Sequence, residues 1–154
     1  MLFLLFQLGN DRYALEAGQV IEVVPLIRFK QIPHAPSGVA GIFNYHGIPV
    51  PLIDMTDLAL GRPSQSKMST RIVLVNYIED SGTKKLIGVL AENVTETIER
   101  AECDFVASGV AATDAPYLGP IATDESGIIQ RIEIRRLLPE SLRKQLFCDL
   151  VESA

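Results

Sequence analysis

The feature that most constrains this chain is a series of short β-forming runs, each closed by glycine, proline, asparagine or aspartate. Leu2 to Leu8 is apolar and aromatic, and Gly9-Asn10-Asp11 supplies turn chemistry before Tyr13-Ala14-Leu15. Val20 to Val24 is β-branched and stopped by Pro25; a helix of one or two turns over residues 16–23 competes with that strand. Arg71 to Ile78 and Lys84 to Leu90 flank Glu79–Thr83, a hairpin loop, and Val94 to Ile98 continues the alternation. Leu118 to Ala122 and Ile128 to Ile134 form another hairpin around Asp124–Gly127. Many short strands at near-regular spacing imply a barrel or a sandwich, and about 75 residues in each half suit two small barrels. The fold class read from the sequence is therefore all-β.

The middle of the chain carries the strongest local signals. Ile42-Phe43-Asn44 and Ile48 to Ile53 flank Tyr45-His46-Gly47, where Gly47 can take the positive φ of a tight turn and Ile42 is expected to be buried. Pro49 and Pro51 cannot donate to a ladder, and their spacing puts them on one side of an edge or bulged strand. Asp54 reads as the N-cap of a short helix over Met55–Leu60, with Asp57 in its first turn and Gly61 ending it. Arg62 to Ser69 is polar and contains Pro63, the pattern of a linker or exposed loop. From Cys103 to Ala115 the pattern weakens and reads as a surface loop. Pro139 with Leu142, Leu146 and Leu150 predicts a C-terminal amphipathic helix.

Composition narrows the function. A chain of 154 residues buries enough surface to fold without a metal or a disulfide. The net charge of −5 disfavours nucleic acid and anionic membranes, because both begin with phosphate neutralisation by Lys and Arg. No run approaches the ~20 apolar residues that insert directly into a bilayer. With no secretion signal and two distant cysteines, Cys103 and Cys148, the thiols are expected to be reduced in a cytoplasm, each a small buried hydrophobe.

Phosphate-loop, GxSxG, CxxC and HExxH motifs are absent from the sequence. His34 and His46 have no cysteine or carboxylate at metal-ligand spacing, so no metal and no cofactor is expected. Asp54 and Asp57 are better explained by helix capping than as an acid–base pair, and a Cys103–His34–Asp54 arrangement is undefined by sequence. No catalytic residue is expected. The alternative is a small β-barrel ligand-binding domain or enzyme with a site near Asp54, marked by a buried polar pocket and a perturbed carboxylate.

What remains is the block from Ile32 to Asp54, where three glycines and four prolines fix a long irregular segment with an aromatic residue and a histidine at its tip. That is the character of a recognition loop.

This block resembles the CheW-like family, whose pattern runs approximately Pro-x-x-Pro, then Gly-x-x-Asn-x-Arg-Gly-x-x-x-Pro-x-x-Asp-Leu. The matching residues are Pro33, Pro36, Gly41, Asn44, Gly47, Pro51 and Asp54. Val20-Ile21-Glu22-Val23-Val24 is similar to its Val-x-Glu-Val element, and Gly88 to Val94 to its Gly-hydrophobic-hydrophobic-Val-Asp-x-Val strand. Tyr117-Leu118-Gly119 and Ile132 to Leu138 resemble its closing hairpin and end.

The resemblance spans about residues 3 to 138. It implies two intertwined five-stranded SH3-like barrels in one domain over residues 1–154, one lobe at approximately 15–85 and the other from the remainder with the N-terminal strand. It implies a scaffold joining the regulatory domain of a CheA-type histidine kinase to methyl-accepting receptors, cytoplasmic and recruited to membrane receptor arrays. Partner contacts would fall on Val20, Glu22, Val23, Gly41, Asn44 and Gly47. His46 replaces the family arginine, so a permanently charged planar fork is exchanged for an imidazole at the same surface.

Overall fold

A computed structural model describes residues 1–79, 81–110 and 115–138. Ten strands form two five-stranded sheets, one ordered β8-β1-β2-β10-β9 and the other β3-β6-β7-β5-β4. The strands are β1 (Leu2–Leu8), β2 (Asp11–Glu16), β3 (Val20–Pro25), β4 (Val39–Tyr45) and β5 (Ile48–Asp54), followed by helix α1 (Met55–Leu60). Then come β6 (Arg71–Ile78), β7 (Lys84–Ala91), β8 (Val94–Glu99), β9 (Leu118–Asp124) and β10 (Gly127–Ile132). The chain starts in the first sheet, builds the whole second sheet, and returns, which intertwines the two units. Two parallel pairings, β2 with β10 and β5 with β7, close what hairpins alone cannot join.

Three apolar clusters explain why several strands read as continuous rather than alternating runs. On β1, Leu4, Phe6 and Leu8 face a core shared by both sheets, while Phe3 and Leu5 face the interior of their own sheet. On β6, Val73, Val75 and Tyr77 join the shared core, and Ile72 and Leu74 fill the second sheet's interior with Phe43, Val50 and Leu52. A strand buried on both faces has no polar side to show. Gly88 sits where a Cβ would lie 2.7 Å from the Phe43 ring, so its lack of a side chain lets that interior close.

Several expectations need correction. The stretch after Cys103 is not simply a surface loop. Phe105 is buried against Phe3, Val106 bridges to Ile121, and Glu102 pairs with Arg131 at 2.8 Å. One aromatic in a polar stretch was enough to dock it. Cys103 itself is exposed, in a short 3₁₀ turn over Glu102–Asp104, rather than a buried hydrophobe. Cys148 and the helix expected around Leu142, Leu146 and Leu150 lie outside the described residues. The competing helix over residues 16–23 reduces to a 3₁₀ turn at Ala17–Gln19 ahead of β3. The alternation through Val94–Ile98 is broken by a bulge opposite Leu5 and Phe6, which sends Val94 to the shared core and Ile98 to the first sheet's interior.

The segment at residues 62–70 is pinned rather than loose. The buried Glu92 carboxylate accepts from both Arg62 guanidinium nitrogens at 3.2 Å and from the Gln65 amide at 2.6 Å. Burial by itself raises the Glu92 pKa, but the Arg62 and Gln65 hydrogen bonds outweigh it and hold the pKa below the usual carboxylate range.

Candidate functional site

The Tyr45–Ile48 pair closes β4 and β5 with a two-residue turn, His46-Gly47. Both turn residues have positive φ, 49° and 87°, the pair of conformations a type I′ hairpin requires. Histidine tolerates this region better than most residues, so His46 does structural work as well as standing at the tip. Asn44 Oδ1 accepts from the Gly47 amide at 2.7 Å and ties the turn to its own strand.

Pro49 and Pro51 lie opposite Asn44 and Ile42, and β5 pairs with β7 only from Leu52 onward. The proline half of β5 is thus bonded on one side and the rest on two, as the missing N–H groups demand. Of the neighbours in β4, Phe43 is buried and Ile42 is half-buried, the reverse of the expected emphasis.

Gly41 is buried, and a Cβ there would collide with the Lys30 carbonyl. Lys30 and Ile42 exchange two backbone hydrogen bonds, 2.8 and 2.9 Å, across that close approach. Gly41 therefore shapes the surface rather than touching what lands on it.

The other expected contacts lie on β3, an edge strand of its sheet. A bulge between Val20 and Glu22 interrupts the two-residue alternation of β3, and Ile21, Glu22 and Val23 are all exposed. Val20 is half-buried against the shared core. Ile21 and Val23 retain 45% and 39% of their surface, an apolar edge that a folded monomer has no internal reason to present.

The two groups meet through Tyr45, the aromatic residue at the tip of the block, which was not among the expected partner contacts. Tyr45 donates its hydroxyl to Glu22 at 3.0 Å, linking the outermost strands β3 and β4, and its ring meets the His46 ring edge-on at 4.5 Å. That hydrogen bond is the chief cause holding the Tyr45 phenol above its ordinary pKa. Val20, Glu22, Val23, Asn44, His46 and Gly47 thus form one border, with Gly41 beneath it.

A second cavity, about 500 Å³, lies beside Asp54 and Asp57. Both carboxylates are committed to structure. Asp54 caps α1 by accepting from the Thr56 and Asp57 amides and also accepts from the Ser64 amide and hydroxyl at 2.8 and 2.6 Å. Asp57 accepts from the Gly38 amide at 3.1 Å. The border presents an apolar edge, one oriented carboxylate and a rigid turn.

The CheW-like domain family model matches residues 2–141. The chain belongs to the CheW-like family. Its relatives include the chemotaxis protein CheW of Helicobacter pylori, 28% identical over 104 residues, covering 67% of this chain and 59% of that protein. The chemotaxis protein CheW of Klebsiella aerogenes is 23% identical over 96 residues, covering 62% and 55%. That of Rhizobium meliloti is 20% identical over 141 residues, covering 90% and 88%. The matches thus span less than two thirds of the first two relatives' length. The crystal structure of the scaffolding protein TtCheW from Thermoanaerobacter tengcongensis has the same fold. Its TM-score is 0.80 at 24% identity, over 94% of this chain and 92% of that one. The CheW-like fold accounts for the two five-stranded sheets, the number that the family resemblance implied.

Proposed function

We propose that this chain is a non-catalytic adaptor that couples the regulatory domain of a CheA-type histidine kinase to the tips of methyl-accepting receptors. The observation that carries the reading is the border built by Glu22, Tyr45 and the His46-Gly47 turn. An exposed apolar edge and a rigid hairpin, linked by one hydrogen bond, make a prepared protein-binding surface. Membership of the CheW-like family supports the same role. The partner-contacting residues are Val20, Glu22, Val23, Asn44, His46 and Gly47, with Gly41 setting the shape beneath them. The adaptor works in the cytoplasm and reaches the membrane by binding receptors. Reconstitution tests this: receptor signalling fragments on vesicles should retain the kinase in the pellet only when this chain is added. Equal kinase recovery with and without it would overturn the proposal.

A further inference from the structure

We infer that an open groove beside the β4–β5 hairpin receives an extended segment of a protein partner carrying carboxylates beside a bulky apolar side chain. The inference rests on the adaptor reading only in taking the occupant to belong to a protein partner. The groove is about 590 Å³, with Arg28 and Lys30 among its lining and Asn44, Gly47 and Pro49 near the turn. Phe29, Ile42, Phe43 and Pro49 supply apolar surface.

Charge selects the occupant. Arg28 and Lys30 are exposed, and neither has an ion pair among the described residues, although the chain carries a net charge of −5. Two unpaired cations beside an apolar lining complement an acidic, apolar ligand and repel a basic one.

Backbone geometry selects its conformation. Ile42 turns its N–H and C=O away from β5 to bond Lys30. By the two-residue period of a strand, Asn44 turns its own N–H and C=O to that same side. No backbone partner meets Asn44 there among the described residues, and Pro49 opposite it on β5 has no N–H. The outer edge of β4 therefore has one rung taken by Lys30 and the next one open, which an extended segment can complete. Gly41 keeps the arrangement fixed by letting Lys30 approach.

The probe is a fluorescein-labelled peptide of alternating glutamate and valine or phenylalanine, compared with its lysine-for-glutamate counterpart. Fluorescence anisotropy should show the acidic peptide binding and the basic one not, with affinity weakening as salt rises. The double variant Arg28→Glu/Lys30→Glu should weaken acidic-peptide binding at least about tenfold. Amide shifts in the ¹⁵N-labelled protein should cluster at residues 28–30 and 42–47. Equal binding of both peptides, no effect of the double variant, or shifts elsewhere would overturn the inference. So would self-association of the chain that the double variant abolishes, since a second copy would then be the occupant. Kinase and receptor binding measured on the wild type separates the two ideas. If the wild type recruits both while it fails to bind the acidic peptide, the groove is wrong and the adaptor reading stands. If the peptide binds while the wild type recruits neither, the reverse holds.

Discussion

Replacing Asp54 tests how the structure around the second cavity is held. As a plain N-cap, Asp54→Asn would be nearly silent, because asparagine caps a helix about as well as aspartate. The structure raises that expectation. One carboxylate oxygen serves the Thr56 and Asp57 amides and the Ser64 hydroxyl, while the other accepts from the Ser64 amide. An asparagine keeping the first oxygen would turn an NH₂ group towards the Ser64 N–H, donor against donor. The cap and the Ser64 hydroxyl bond survive and the Ser64 amide bond does not, for a loss of about 1 kcal/mol. Alanine removes both the cap, worth ~1 kcal/mol, and the charged hydrogen bonds to Ser64. A total loss of about 2–3 kcal/mol follows, or a fall in Tm of roughly 5–10 °C for a chain of this size. Urea unfolding of the three proteins at pH 7 gives the order wild type, Asn, Ala. Alanine within about 0.5 kcal/mol of wild type, below the usual cost of a lost cap, would refute the reasoning. Asparagine as damaging as alanine would show that the charge matters rather than the hydrogen-bond geometry.

Three other outcomes are expected. Gly41→Ala forces Lys30 off β4 and should cost about 1–3 kcal/mol, read by denaturant unfolding, with loss of slow amide exchange at Lys30 and Ile42. The Asp124 carboxylate is held at about 2, first by its hydrogen bonds from Arg12 and then by the Ser126 amide and nearby Arg100, against the opposing effect of burial. A depressed carboxylate stabilises the fold above its unfolded pKa and loses that contribution as pH falls. The Tm gap between wild type and Asp124→Asn should therefore be nearly full at pH 5, shrink from about pH 4 and vanish only below about pH 2. His46→Arg should strengthen binding to receptors that use the family arginine, read by calorimetric titration. Identical affinities for both proteins would leave His46 as a turn residue alone.

What the sequence made legible was chemistry that acts within a few residues. The Asp54 cap and the Gly61 stop of α1 are local, as is the Gly47 turn, and the structure has each where the residues place it. What it hid depends on partners far along the chain. Glu92 lies in the Gly88–Val94 run with no local signal of burial, yet it is buried because Arg62 and Gln65 return to it from 27–30 positions away. Tyr45 gains its role only once β3 and β4, which share no ladder, become the outer strands of one sheet. The burial of Ile42, Ile21 and Val23 turns on bulges and edge position, which no β-branched run declares in advance. Phe105 was missed because one aromatic among small and polar residues carries no periodicity.

The most direct test of the account is a calorimetric titration of the kinase regulatory domain and the receptor tip into wild type and Glu22→Lys. Glu22 is exposed and among the described residues holds only the Tyr45 hydroxyl, so the reversal should leave Tm within about 2 °C of wild type. Affinity for at least one partner should fall about tenfold or more, because the charge at the centre of the border is reversed and the Tyr45 hydroxyl loses its acceptor. Unchanged affinity for both partners would contradict the claim that this border is the binding surface.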